Sequence, residues 1–241
     1  MRILVTNDDG IYSPGLLALA EVAAAFGDVR IVAPGAEQSS MALAVTASRP
    51  LSHRPVRLGA FNAFSVNGTP ADCVALGVYV WGTVDIVLAG INLGLNVGNA
   101  MWHSGTLAAA VQASLLGVRG VAFGAPEPRE EGDYAELRPH VERVIRLLLE
   151  RPTLALVNVN LPPNPRGARF TRQSVRQYDG RILESRDPYD RRVYWFAPHP
   201  LGPAEEGTDR WAIEHELVSI TPLRLDLTDP VALEQLGSAP P

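Results

Sequence analysis

The passage from Arg2 to Gly35 constrains the fold more than any other part of the chain. The apolar run Arg2-Ile-Leu-Val-Thr6 breaks into Asn7-Asp8-Asp9-Gly10, the signature of a strand that ends in a turn. Pro14 and Gly15 then open a Leu/Ala-rich segment with Leu16, Leu19, Ala20 and Ala23 on one helical face and Gly27 as its expected stop. Val29-Arg-Ile-Val-Ala33 is a second strand, closed by Pro34-Gly35. A strand, a helix and a strand within about thirty-five residues form a βαβ unit, which implies a parallel sheet.

The same alternation resumes downstream. Residues 70–80 and 106–116 read as helices, 138–150 as an amphipathic helix, and 86–89, 120–123 and 153–159 as strands. Residues 41–66 are more β-like and are expected to form a hairpin insertion. No internal repeat is visible. The expected class is α/β, with a mainly parallel sheet between helices.

At 241 residues the chain fits one α/β domain, or a core with an appendage. A chain of this size buries roughly 70–75% of its unfolded surface, so it needs no disulfide or metal staple. Its one cysteine, Cys73, excludes an intramolecular disulfide and sits where core filler is expected. All 21 basic residues are Arg, a bias read as genomic. The absence of Lys removes Schiff-base chemistry and the Walker lysine. A net charge of −5 argues against a stable nucleic-acid partner. Asp8 and Asp9 interrupt any signal-like start, and the longest stretch without Asp, Glu, Lys or Arg, 86–118, carries Asn92, Asn96, Asn99, His103 and Gln112. The expectation is a soluble, cytoplasmic protein with no membrane partner.

The character changes after Pro162-Pro163-Asn164-Pro165. Residues 166–192 hold eight Arg against four acidic residues, and 166–211 hold seven of the sixteen aromatics: Phe170, Tyr178, Tyr189, Tyr194, Trp195, Phe196 and Trp211. The expected organisation is a catalytic core over 1–165, a β-rich arm over 166–211, and a C-terminal segment over 212–241 that returns to the core. The arm is either a solvated face or an oligomerisation element, since aromatics and Arg are enriched in interface cores.

Open parallel sheets bind ligands outside the carboxyl ends of their strands. The first such loop carries the adjacent carboxylates Asp8 and Asp9, which repel unless a cation or Arg neutralises them. The second offers Glu37, Gln38, Ser39 and Ser40. The third, Gly90-Ile-Asn92-Leu-Gly94-Leu-Asn96-Val-Gly98-Asn99, runs into Ser104-Gly105-Thr106 at a helix start. Its glycines allow close backbone approach, and hydroxyls with N–H groups at a helix N-terminus favour an anion. An oxygen-only donor set of Asp, Ser and Asn suits Mg²⁺, Mn²⁺ or Ca²⁺. Carboxylate-held metal beside an anion site points to phosphate chemistry. His103, next to Trp102, is either packing or an acid–base group, whereas His53, His140, His199 and His215 lack metal-site spacing.

Asn7-Asp-Asp-Gly10, Ala33-Pro with Ser39 following, Asn67-Gly-Thr-Pro-Ala-Asp-Cys73, Gly90-Ile-Asn-x-Gly-x-Asn-x-Gly98 with Ser104-Gly-Thr106, and Val218-Ser-Ile-Thr-Pro-Leu223 occur in order across nearly the whole chain. Together they resemble the SurE family of survival-protein nucleotidases. The resemblance implies a Rossmann-like three-layer α/β core with a β-hairpin-rich C-terminal extension, assembled as a homodimer or homotetramer. It implies a divalent-metal-dependent phosphomonoesterase acting on nucleoside 5′- and 3′-monophosphates, and in some members on short polyphosphate. The family's metal ligands fall on Asp8, Asp9, Ser39 and Asn92, for one Mg²⁺ or Mn²⁺ per subunit. Its phosphate contacts fall on Asn96, Ser104, Gly105 and Thr106. Asp8 would serve as base or as nucleophile. Four residues depart from the usual pattern: Ser40 and Met41 stand where Gly follows the liganding Ser, His103 where Tyr is usual, and Arg224 where some relatives have His. Two rival readings are a non-catalytic nucleotide or phosphate sensor and a metal-dependent glycosyltransferase.

Overall fold

A computed structural model describes residues 1–126, 134–176 and 179–237. Tyr178, counted among the arm's aromatics, and residues 238–241 of the expected C-terminal segment lie outside the described residues. The βαβ start is present as β1 (Arg2–Thr6), α1 (Pro14–Ala23) and β2 (Asp28–Pro34). Gly27 is not the helix stop. The helix ends at Ala23, and Gly27 sits in the following turn, where a Cβ would lie 2.1 Å from the Met1 carbonyl oxygen. The expected insertion is a hairpin, β3 (His53–Leu58) and β4 (Phe61–Val66), and it extends the main sheet because β4 pairs parallel to β2.

The central alternation follows as α2 (Pro70–Trp81), β5 (Ile86–Leu93), a 3₁₀ turn (Gly98–His103), α3 (Gly105–Leu115), β6 (Arg119–Ala125), α4 (Tyr134–Leu149) and β7 (Leu156–Asn160). Thr69 caps α2 in a reciprocal box with Asp72, so the Asn67–Cys73 motif folds locally for a reason independent of chemistry. The chain continues through β8 (Gly167–Phe170), β9 (Gly180–Arg186), β10 (Arg192–Pro198), α5 (Asp209–Glu214), β11 (Leu217–Leu223) and α6 (Pro230–Leu236).

The main sheet has nine strands in the order β3-β4-β2-β1-β5-β6-β7-β11-β8, parallel except at β3/β4 and β7/β11. β8 therefore belongs to this sheet, beside β11. Among the described residues, only β9 and β10 leave it, as a separate antiparallel pair.

Alternation along the strands builds the three layers. Ile3 and Val5 pack with Leu16 and Leu19 of α1 and Val141 and Ile145 of α4. Leu4, Val32 and Val87 point to the other face, onto Cys73 and Val74 of α2 and Ala109 and Ala113 of α3. Among the described residues, no helix is long and apolar enough to cross a membrane.

Candidate active site

The strand order reverses direction at β1, whose neighbours β2 and β5 come from opposite halves of the sheet. Crevices at such switch points take ligands in doubly wound sheets. The loops after these three strands meet there.

Asp8, the second residue beyond β1, is almost fully buried. Its Oδ1 accepts the Thr106 hydroxyl, and its main-chain oxygen accepts Gln38 N at 2.7 Å, tying the first loop to the second. A Cβ on Gly105 would lie 2.8 Å from Asp8 Oδ2, so only glycine lets the first turn of α3 approach this carboxylate. The α3 N-terminus thus serves a carboxylate of its own chain. Burial pushes the Asp8 carboxyl above its ordinary range, against the pull of Thr106 and the Gly105 N–H. Asp9 accepts Leu93 N at 3.3 Å. Burial and then the neighbouring Asp8 charge push its carboxyl up to about 7, with Glu37 adding and the Leu93 N–H opposing.

In the second loop, Ser39 Oγ donates to Glu37 Oε1 at 2.6 Å. Ser40 and Ala42 take left-handed φ values of 61° and 48°, and Ala42 N reaches the His103 carbonyl at 3.2 Å.

The third loop is held largely by side chains from elsewhere. Asn92 Nδ2 donates to the Gly94 carbonyl at 2.9 Å, while no donor among the described residues engages its Oδ1. Gly94 has φ +142°, which the loop could not reach with most side chains. Both main-chain groups of Asn96 are taken by Asn158 and Asn160 of β7. Both main-chain groups of Gly98 are also taken: its N–H donates to Asp209 Oδ2 at 2.8 Å, and its carbonyl accepts Gln173 Nε2 at 2.9 Å. Ser104 caps α3 by accepting Leu107 N at 3.0 Å.

These loops wall a cleft of roughly 610 Å³, lined by Asp8, Ser39, Asn92, Asn96, His103 and Ser104. Asp179, Gly180, Phe196 and Pro198, at the root of the β9–β10 hairpin, close one side, and the His103 and Phe196 rings lie 6.3 Å apart, edge to face. A larger, mainly apolar groove of about 880 Å³ between α3 and the β11 end shares only Ser104 with this cleft.

All eight residues singled out by the sequence come together here, in unequal positions. Asp9, Gly105 and Thr106 lie behind the lining, and the fully buried Thr106 hydroxyl is committed to Asp8. His53, His140, His199 and His215 do not line the cleft. Sequence reasoning missed Asn158, Asn160, Gln173 and Asp209. The signal for the first two is visible in hindsight, as Asn at alternate positions of the buried run Leu156–Asn160.

The donors fit a hard cation, because they are carboxylate, amide and hydroxyl oxygens only. No group of three or more His, Cys, Asp or Glu able to hold a metal occurs among the described residues, which follows if Ser39 and Asn92 complete the set. The amide Nδ2 of Asn96, buried and without an acceptor among the described residues, fits an anion beside that cation.

Comparison with known proteins finds relatives along nearly the whole chain. Residues 3–180 match the family model described as Survival protein SurE. The chain is 43% identical to 5′-nucleotidase SurE 1 of Thermus thermophilus, over 98% of this chain and 97% of that protein. It is 40% identical to 5′-nucleotidase SurE of Geobacter metallireducens, over 98% and 96%. The crystal structure of the SurE protein from Aquifex aeolicus superposes with a TM-score of 0.84 at 35% identity, covering 98% of both chains.

Proposed function

The chain belongs to the SurE family, and from that membership we propose that it is a divalent-metal-dependent phosphomonoesterase converting nucleoside monophosphates to nucleoside and phosphate. The observation that carries this reading is one cleft with two halves. Asp8 and Asp9 are adjacent carboxylates that burial penalises until a cation compensates them. Asn96 lines the same cleft as Asp8, and its Nδ2 is a buried donor without an acceptor among the described residues. A volume of roughly 610 Å³ lies within the usual range for small-molecule sites.

In this reading Asp8, Asp9, Ser39 and Asn92 would hold one Mg²⁺ or Mn²⁺ per subunit. Held there, a divalent cation would supply positive charge against the phosphoryl oxygens and would lower the pKa of a nearby water. Asn96 Nδ2 and the Ser104 hydroxyl would hold the phosphoryl oxygens as charge shifts onto them, while Gly105 and Thr106, whose N–H groups face Asp8, act through that carboxylate. The Thr106 hydroxyl keeps Asp8 aimed and ionised, and Asp8 either takes a proton from water or attacks phosphorus itself. Both 5′- and 3′-monophosphates, and short polyphosphate, are proposed substrates. The β9–β10 hairpin is proposed to pack on another subunit in a homodimer or homotetramer.

Phosphate release from AMP with and without Mn²⁺ tests the reaction class. Metal-dependent release is expected. Binding without release would instead mark a sensor, and inertness toward monophosphates would revive the transferase reading.

A further inference from the structure

We infer that Asn158 and Asn160 are positioning residues that hold Asn96 in the geometry its side chain needs to meet the phosphoryl group, an inference that rests on the reading of Asn96 as a phosphate contact.

Asn160 grips one residue at two points. Its Oδ1 accepts Asn96 N at 2.7 Å and its Nδ2 donates to Asn96 O at 3.0 Å. Asn158 Nδ2 adds a second donor to the same carbonyl at 2.7 Å. A primary amide is the group that can satisfy an N–H and a C=O of one residue together, because it offers a donor and an acceptor side by side. Asp lacks the donor. Both asparagines are fully buried in a strand whose other positions are Leu156, Val157 and Val159. Two amides in such a place are costly unless paired; Asn160 is paired at both amide atoms and Asn158 at its Nδ2, while Asn158 Oδ1 has no partner among the described residues.

The reach crosses a neighbouring strand. β6 lies between β5, whose end leads into the Asn96 loop, and β7, which carries the two asparagines. Asn160 pairs in register with Gly124 of β6, and a Cβ there would lie 2.9 Å from Asn160 Oδ1 and 2.8 Å from the Gly94 carbonyl oxygen. Glycine at 124 therefore opens the slot through which Asn160 reaches the loop. With its main chain fixed at both ends, Asn96 keeps its side-chain amide at the cleft wall with Nδ2 uncommitted. Pre-set donors of this kind need no reorganisation when charge develops.

The test is a double-mutant cycle on the full chain with AMP and saturating Mn²⁺. Asn160→Ala is expected to lower kcat roughly 10- to 100-fold, as loss of a supporting hydrogen-bond partner does. The Mn²⁺ dissociation constant, read by calorimetry, should move less than about twofold, since Asp8 and Asp9 keep their own partners. In an Asn96→Ala background the same change should cost less than about twofold further. Asn158→Ala, which removes only the second donor to the Asn96 carbonyl, should give a smaller loss of the same pattern and carries the cycle if Asn160→Ala does not fold. Losses that multiply while Asn96→Ala is itself impaired would overturn the inference alone. An Asn96→Ala enzyme at the wild-type rate would instead remove the phosphate contact, and the inference with it.

Discussion

The Thr106 hydroxyl donates to Asp8 Oδ1 across 98 positions of sequence, joining the first turn of α3 to the loop after β1. Both side chains are buried. Burial favours the protonated acid, and this donor is the largest opposing influence. Thr106→Val keeps the volume and removes the bond. Because a hydrogen bond to a charged group is worth about 1.5–3 kcal/mol, kcat/KM near neutral pH should fall on the order of tenfold or more. The acidic limb of the pH–kcat/KM profile should move to higher pH, since the Asp8 carboxyl is raised further. A profile unmoved on the acid side would deny Thr106 this role.

Asp8→Asn tests the carboxylate itself. Asn tolerates the turn conformation and preserves shape, so the fold should persist by circular dichroism. Turnover should drop by orders of magnitude, given the several kcal/mol that charge stabilisation provides in metal-assisted transfer. A variant keeping more than about half the wild-type rate at saturating metal would contradict the assignment.

The metal-free protein should lose stability with rising pH. Asp8 and Asp9 have folded-state values raised above the ordinary carboxylate range, Asp9 to about 7. The folded state therefore binds protons more tightly than the unfolded chain. Its contribution is fully present below about pH 4 and is lost as pH rises through about 7. In EDTA, the melting temperature should accordingly carry a falling component between pH 5 and pH 8. Mn²⁺ should raise it more at pH 8, where both carboxylates are ionised. A metal-induced shift that is larger at pH 5 would refute the coupling.

Ser40 carries strain that glycine would relieve. Its φ of 61° is left-handed, a conformation costing a non-glycine residue about 1 kcal/mol. It follows Ser39 in the loop that walls the cleft. Ser40→Gly is expected to raise the melting temperature by roughly 2–4 °C in a chain of this size. A lower melting temperature would mean that the Ser40 side chain contributes more than its backbone costs.

What the sequence made legible was local. β1, α1 and β2 follow from apolar spacing and turn residues within thirty-five positions, and the Gly/Asn loop announces itself by composition. Long-range partners were not legible. Asn158 reads as a strand residue and Asn160 as the position just past the strand, because the loop they hold lies 62 and 64 positions away. The Ser104-Gly105-Thr106 helix start reads as an anion site, yet no local rule tells that Asp8 of the same chain already sits against it. β8 likewise joins the main sheet only because β11, far downstream, offers it an edge.

The β9–β10 hairpin should decide the oligomeric state. An isolated two-stranded hairpin is marginal in water, and among the described residues this one pairs with no other strand. Neighbouring residues along it, Ile182 and Leu183 on β9 and Tyr194, Trp195 and Phe196 on β10, are all exposed, so both faces present apolar side chains. Trp195 is 63% and Phe196 65% exposed, a patch that a monomer would normally avoid. Packing against an identical hairpin would cover both rings by a symmetric route. The root of the hairpin also closes the cleft through Phe196 and Pro198, so removal should be felt in catalysis. Replacing residues 180–198 with a short Gly/Ser linker leaves β8 and α5 in the core. The expected result is a smaller particle by light scattering, with kcat/KM for AMP reduced. A truncated protein that kept the wild-type mass would place the interface on the core instead.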